Sequence, residues 1–155
     1  MKILKKIFFV IWVLSFLESC GYQPLLSSKN QKFSVVNINI YGDKKLARSL
    51  GNYFTEIENA DKNLFLEITA DKNKLVSNKT SIGATSEYTV TINFDVKVIS
   101  EIDNKLIFRQ NFTSSNSFKT SKVHLDTLRR ENKIVDNSIK NIAEQISKRL
   151  NVIFN

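Results

Sequence analysis

Hydrophobic and polar positions change period several times between Phe33 and Asn155. Phe33 to Tyr41 is β-rich, with Val36, Ile38 and Ile40 set for one face of a strand. Gly42-Asp43 breaks it, and Asp43 is suited to cap a helix. Leu46, Leu50, Phe54 and Ile57 then recur at helical spacing, predicting an amphipathic helix over 44–59. Leu64, Leu66, Ile68 and Ala70 alternate with Phe65, Glu67, Thr69 and Asp71, which predicts a strand over 64–76. The small and polar run 77–86 predicts a loop.

The longest strict alternation lies at 87–99. Tyr88, Val90, Ile92, Phe94, Val96 and Val98 share one face, and Thr89, Thr91, Asn93, Asp95 and Lys97 share the other, so this strand has a buried and a wet side. Asp103-Asn104 predicts a turn. A partner strand follows over 105–113, with Leu106, Phe108 and Phe112 inward and Gln110 interrupting them. The Ser/Thr/Asn-rich stretch 113–122 either extends that strand or loops out. From about Lys122 the spacing is helical. Leu125, Leu128, Val135, Ile139, Ile142, Ile146, Leu150 and Ile153 form a stripe that implies a helix of 25 residues or more. The order β-α-β-β-β-α, with apolar helix stripes and one-sided strands, predicts an α+β two-layer sandwich: two helices on one face of a four-stranded sheet.

The first 19 residues follow a different logic. Lys2, Lys5 and Lys6 precede an apolar run, Ile7 to Leu17, broken only by Ser15. That run is too short to span a bilayer and has the length of a secretory signal core. Leu17-Glu18-Ser19-Cys20 resembles a lipobox, the processing motif of bacterial lipoproteins, with Glu18 where a small or apolar residue is usual. The resemblance assigns Cys20, the sole cysteine, as the lipidation site. Its sulfur would carry diacylglycerol through a thioether and its freed amine an N-acyl chain, often palmitate. Several buried acyl chains make a stable anchor. Gly21 and Pro24 beside Cys20 argue against a buried core thiol. The expected organisation is a signal peptide at 1–19, a lipidated N-terminus and polar tether at 20–32, and a single α+β domain at 33–155.

Charge narrows the partners. Loss of residues 1–19 removes three lysines and one glutamate from a formal net charge of +8, leaving +6 on 136 residues. A basic surface favours anionic partners, and a secreted destination argues for lipid phosphates over nucleic acid. Lys72, Lys74 and Lys79 fall around the end of the second strand, and Lys119 and Lys122 flank the approach to the last helix. These five are the candidate anion-binding residues. Arg149, near the end of that helix, suits its dipole.

No catalytic constellation is visible. His124 is the only histidine and a lipidated Cys20 offers no thiol, so neither a Cys–His pair nor a His/Cys metal cluster can be assembled. Glu67, Asp71 and Asp95 lie on strands where they can meet in space, but no base or nucleophile accompanies them. The expectation is a binding or scaffolding protein, not an enzyme, with no metal and no cofactor beyond the lipid on Cys20.

Cys20-Gly21-Tyr22-Gln23-Pro24-Leu25 resembles the mature start of the LPS-assembly lipoprotein family LptE, particularly its alphaproteobacterial forms. TSEYTVTINFDVKV, from Thr85 to Val98, is similar to the family's central strand. Ala143-Glu144-Gln145-Ile146-Ser147-Lys148-Arg149-Leu150 is similar to its closing "A-x-x-I-x-x-R-L". The order of elements agrees over nearly all the mature chain. The resemblance implies an outer-membrane lipoprotein that faces the periplasm, plugs the LptD β-barrel, helps it assemble, and serves lipopolysaccharide transport to the outer leaflet, which makes Lys72, Lys74, Lys79, Lys119 and Lys122 the candidate lipopolysaccharide-binding residues. Two alternatives remain open: an auxiliary lipoprotein of an ABC-type lipid transporter, and an envelope hydrolase.

Overall fold

The computed structural model describes residues 32–154, apart from 55, 58 and 59. The expected signal peptide, Cys20 and tether lie outside them. Strands β1 (Phe33–Gly42), β2 (Lys62–Lys79), β3 (Thr85–Ser100) and β4 (Leu106–Lys119) form one sheet in that spatial order. Helix α1 (Lys44–Gly51) joins β1 to β2, and α2 (His124–Phe154) closes the chain. β1 runs parallel to β2, and the other neighbours are antiparallel. The architecture is the α+β arrangement read from the sequence.

The core lies between the sheet and the helices. Leu64, Leu66, Ile68 and Ala70 of β2 and Val90, Ile92, Phe94, Val96 and Val98 of β3 are buried on the helix side. Leu46, Ala47 and Leu50 of α1 and Val135, Ile139, Ile142, Ala143, Ile146 and Leu150 of α2 cover them.

Two bulges correct the predicted faces. In β1, Val35 pairs with Leu64 and Asn37 with Phe65, so Val36 is the extra residue. Phe33 and Val35 are buried before the bulge; Ile38 and Ile40 pack on the core after it. One inserted residue changes parity, because side chains alternate with period two. In β4, Phe108 pairs with Val98 and Leu106 with Ile99. Ile107 is the extra residue and packs on the core, while Leu106 is 53% exposed on the open side instead of facing in.

Two further expectations change. α1 ends at Gly51, not at 59. Asp43 starts it as predicted, its Oδ1 accepting from the Leu46 N–H at 3.0 Å. Gly51 sits against Ile38, with room for a Cβ only 3.3 Å from that side chain. The Tyr53 and Phe54 amides then bond back to the carbonyls of Leu50 and Gly51, tightening the exit, and Phe54 reaches the core from outside the helix. Second, half of the predicted loop at 77–86 is sheet: β2 runs to Lys79, Thr80–Ala84 turns, and β3 starts at Thr85. Gly83 takes φ +82° in that turn. Of the two alternatives for the stretch after Phe112, the structure takes the first: 113–119 extends β4.

At the end of β1, Gly42 has φ +72°, and a Cβ there would collide with the Ala70 carbonyl. The Asp43 N–H bonds that carbonyl at 2.8 Å and ends the β1–β2 ladder. Asp71–Lys79 therefore continues as an arm paired only to β3.

Gln110 faces Val96 on the inward side, half-buried, and its Oε1 has no hydrogen-bond partner. A buried acceptor without a donor is destabilising. Gln110→Leu is expected to raise the unfolding free energy by about 1 kcal/mol. Urea denaturation measures this, and an unchanged or lower midpoint contradicts it.

Candidate anion-binding face and tip

The inward face of the β2 arm is polar where the rest of β2 is apolar. Lys72 and Lys74 leave the strand on the side of Leu66, Ile68 and Ala70, and reach toward α2. Their Nζ atoms lie 2.6 Å from Oε1 and 2.6 Å from Oε2 of Glu131. Glu131 is buried at 7% exposure. Lys74 also lies 4.3 Å from the centroid of the Tyr88 ring and 5.6 Å from that of Phe118, a cation–π floor beneath the ammonium.

Burial pushes the Glu131 carboxyl upward, but the hydrogen bonds and charges of Lys72 and Lys74 outweigh that and hold it below its ordinary value of 4.5. Between the lowered value and 4.5 the unfolded chain binds more protons than the folded one, so stability rises with pH through that window. The contribution is complete above 4.5 and disappears as pH falls through the folded value. The parent is thus expected to lose more stability than Glu131→Gln between about pH 6 and about pH 3. Thermal melts across that range test it, and parallel profiles contradict it.

The other lysines gather at the far end of the sheet. Lys79 ends β2, Lys119 ends β4 opposite Glu87, and Lys122 lies in the connection to α2. The Thr120 N–H bonds the Ser86 carbonyl at 2.9 Å and its hydroxyl reaches the Thr85 carbonyl, so the two connections are adjacent. Arg130 donates to the Lys119 carbonyl at 3.3 Å, and the Ser121 N–H is received by Thr127 Oγ1 at 2.9 Å at the start of α2. Exposed apolar side chains stand among these cations. Ile82 is 88% exposed, and Val76, Val123, Leu125 and Leu128 are also exposed. The first turns of α2 thus depart from the predicted stripe, burying Thr127 and Glu131 and turning Leu125 and Leu128 outward; Ile153 is exposed at the other end.

β2 runs from beside Lys32 to this tip. At ~3.3 Å per residue it separates Lys32 from the tip by roughly 55 Å.

The open face of the sheet is a polar ladder. Thr89 bonds Ser77 and Ser117, Thr91 bonds Ser115, and Thr113 donates to Asn93. The carboxylates read from the sequence stand on this side but do not pair with one another. Glu67 bonds Lys97 at 2.9 Å, and Asp95 is gripped by Arg109 through Nε and Nη2. The Arg109 hydrogen bond holds the Asp95 carboxyl below the usual carboxylate range. His124 is an exposed residue at the start of α2. Arg149 lies over the Phe108 ring at 5.1 Å, a packing contact rather than a bond to the helix end.

Sequence reasoning named Lys72 and Lys74 but missed Glu131. The signal was present: Glu131 lies four residues before Val135, on the stripe that continues through Ile139, Ile142 and Ile146. Among the described residues no three His, Cys, Asp or Glu side chains converge to hold a metal, and no helix is long and apolar enough to cross a membrane.

No protein-family model matches the chain, and no curated protein matches it by sequence. Solved structures do match by shape. The minor lipoprotein of Acinetobacter baumannii superposes with a TM-score of 0.55 at 14% identity, covering 77% of this chain and 90% of that one. Uncharacterized lipoprotein B of Nitrosomonas europaea gives 0.55 at 13% identity, covering 82% and 88%. The fold is one that bacterial lipoproteins use.

Proposed function

We propose that the protein is a lipid-anchored envelope protein of the LptE type. In this reading Cys20 carries the lipid, and the domain plugs and helps to assemble an LptD-type β-barrel in the outer membrane. It takes part in moving lipopolysaccharide to the outer leaflet and catalyses no reaction.

The observation that carries this reading is the tip. Lys79, Lys119, Lys122, Arg129 and Arg130 stand among Ile82, Val123, Leu125 and Leu128, all exposed, at the end of the sheet away from the tether. Cations beside exposed apolar groups suit an anionic amphiphile, whose phosphates take the charge and whose acyl chains cover the apolar surface. The shared lipoprotein fold and the lipobox resemblance support the same reading. So does the sheet's hydroxyl-rich open face, which is matched to a wet lumen.

The test is depletion in cells. The barrel is expected to fall in abundance, and newly made lipopolysaccharide to stop short of the surface. Normal surface delivery after depletion overturns the reading.

A further inference from the structure

Lys72 and Lys74 present two ammonium groups to the two oxygens of one carboxylate, each at 2.6 Å. Two cations on two acceptor oxygens is also how a lysine pair holds a phosphate, through short charge-assisted bonds. The lysine side chains keep 29% and 31% of their exposure while the Glu131 side chain keeps 9%. The lysine side chains are therefore partly open to solvent, while the carboxylate that lies between their ammonium groups is held from within.

We propose that Lys72 and Lys74 form a phosphate site that Glu131 occupies as an internal anion, and that a phosphate monoester enters by displacing that carboxylate. For the source of the phosphate, a lipopolysaccharide headgroup, the inference rests on the function proposed above. The chemistry is the same for free phosphate. A carboxylate brings one negative charge, whereas a phosphate monoester brings about 1.5 to 2 near neutral pH and three acceptor oxygens. Opposing the exchange is the buried Glu131 carboxylate, which loses both partners. Glu131 thus sets the affinity of the site. Because it stands on α2 and the lysines on the β2 arm, entry of a ligand also releases the arm from the helix.

The experiment titrates the full chain, in detergent, with lipid A micelles, dephosphorylated lipid A and inorganic phosphate. Glu131→Gln is expected to bind lipid A about tenfold more tightly than the parent. Glu144→Gln, the same charge change elsewhere on α2, should bind as the parent does. The gain must vanish when Lys72→Gln and Lys74→Gln are added, and it must be absent with dephosphorylated lipid A. Glu131→Asp draws the carboxylate back by one methylene, and it must show a gain of the same sign should Glu131→Gln not fold. A folded Glu131 variant with no gain overturns the proposal, as does a gain that survives loss of both lysines. If Glu131→Gln binds inorganic phosphate more tightly while no variant binds lipid A, the site stands and the lipopolysaccharide reading falls.

Discussion

Phe94→Ala is expected to cost the fold about 3–5 kcal/mol. Phe94 sits in the middle of β3, fully buried, with Ala70 of β2 and Phe112 of β4 as its cross-strand neighbours. Truncation removes the ring's transfer energy and leaves a cavity that two paired strands cannot close. A domain of this size is stable by about 5–15 kcal/mol, so the loss is a large share of the whole. Thr91→Ala, three residues away on the wet face, removes one exposed hydroxyl contact to Ser115 and should change stability by less than about 1 kcal/mol. Urea denaturation of both variants measures the contrast. Equal effects would contradict the assignment of the two faces.

Cys20→Ser is expected to release the protein from membranes. Ile7 to Leu17 is too short to span a bilayer, so in the proposed function retention depends on acyl chains attached through the Cys20 thiol. Each buried methylene contributes about 0.8 kcal/mol, and losing two or three chains removes the anchor outright. Fractionation, with palmitate labelling of the parent, measures it. A Cys20→Ser protein that stays in the membrane would show that residues 7–17 anchor the chain uncut.

The parts of the fold legible in the sequence are those where side-chain burial writes the pattern. β3 was expected at 87–99 and runs Thr85–Ser100, because each second residue is apolar and buried. The end of the arm, 77–79, reads as loop in the sequence because backbone pairing to β3 and the Ser77–Thr89 hydroxyl contact hold it, and neither leaves an apolar period. The bulge at Ile107 puts Leu106 off its predicted face and the one at Val36 changes the parity of β1, since the pattern carries no mark of an inserted residue. α1 was drawn too long because Phe54 continues its spacing while entering the core from a tightened exit. The five candidate lysines divide in space: two face α2 and three surround the tip. Their types and positions were visible from the start, but the partner of the first two was hidden by its place on an apolar stripe.

Affinity isolation from outer membranes in mild detergent, with a C-terminal tag on the full chain, tests the central claim most directly. The account predicts a stoichiometric large β-barrel that stays bound through gel filtration. Recovery of the protein alone, or with inner-membrane transporter subunits, would contradict it.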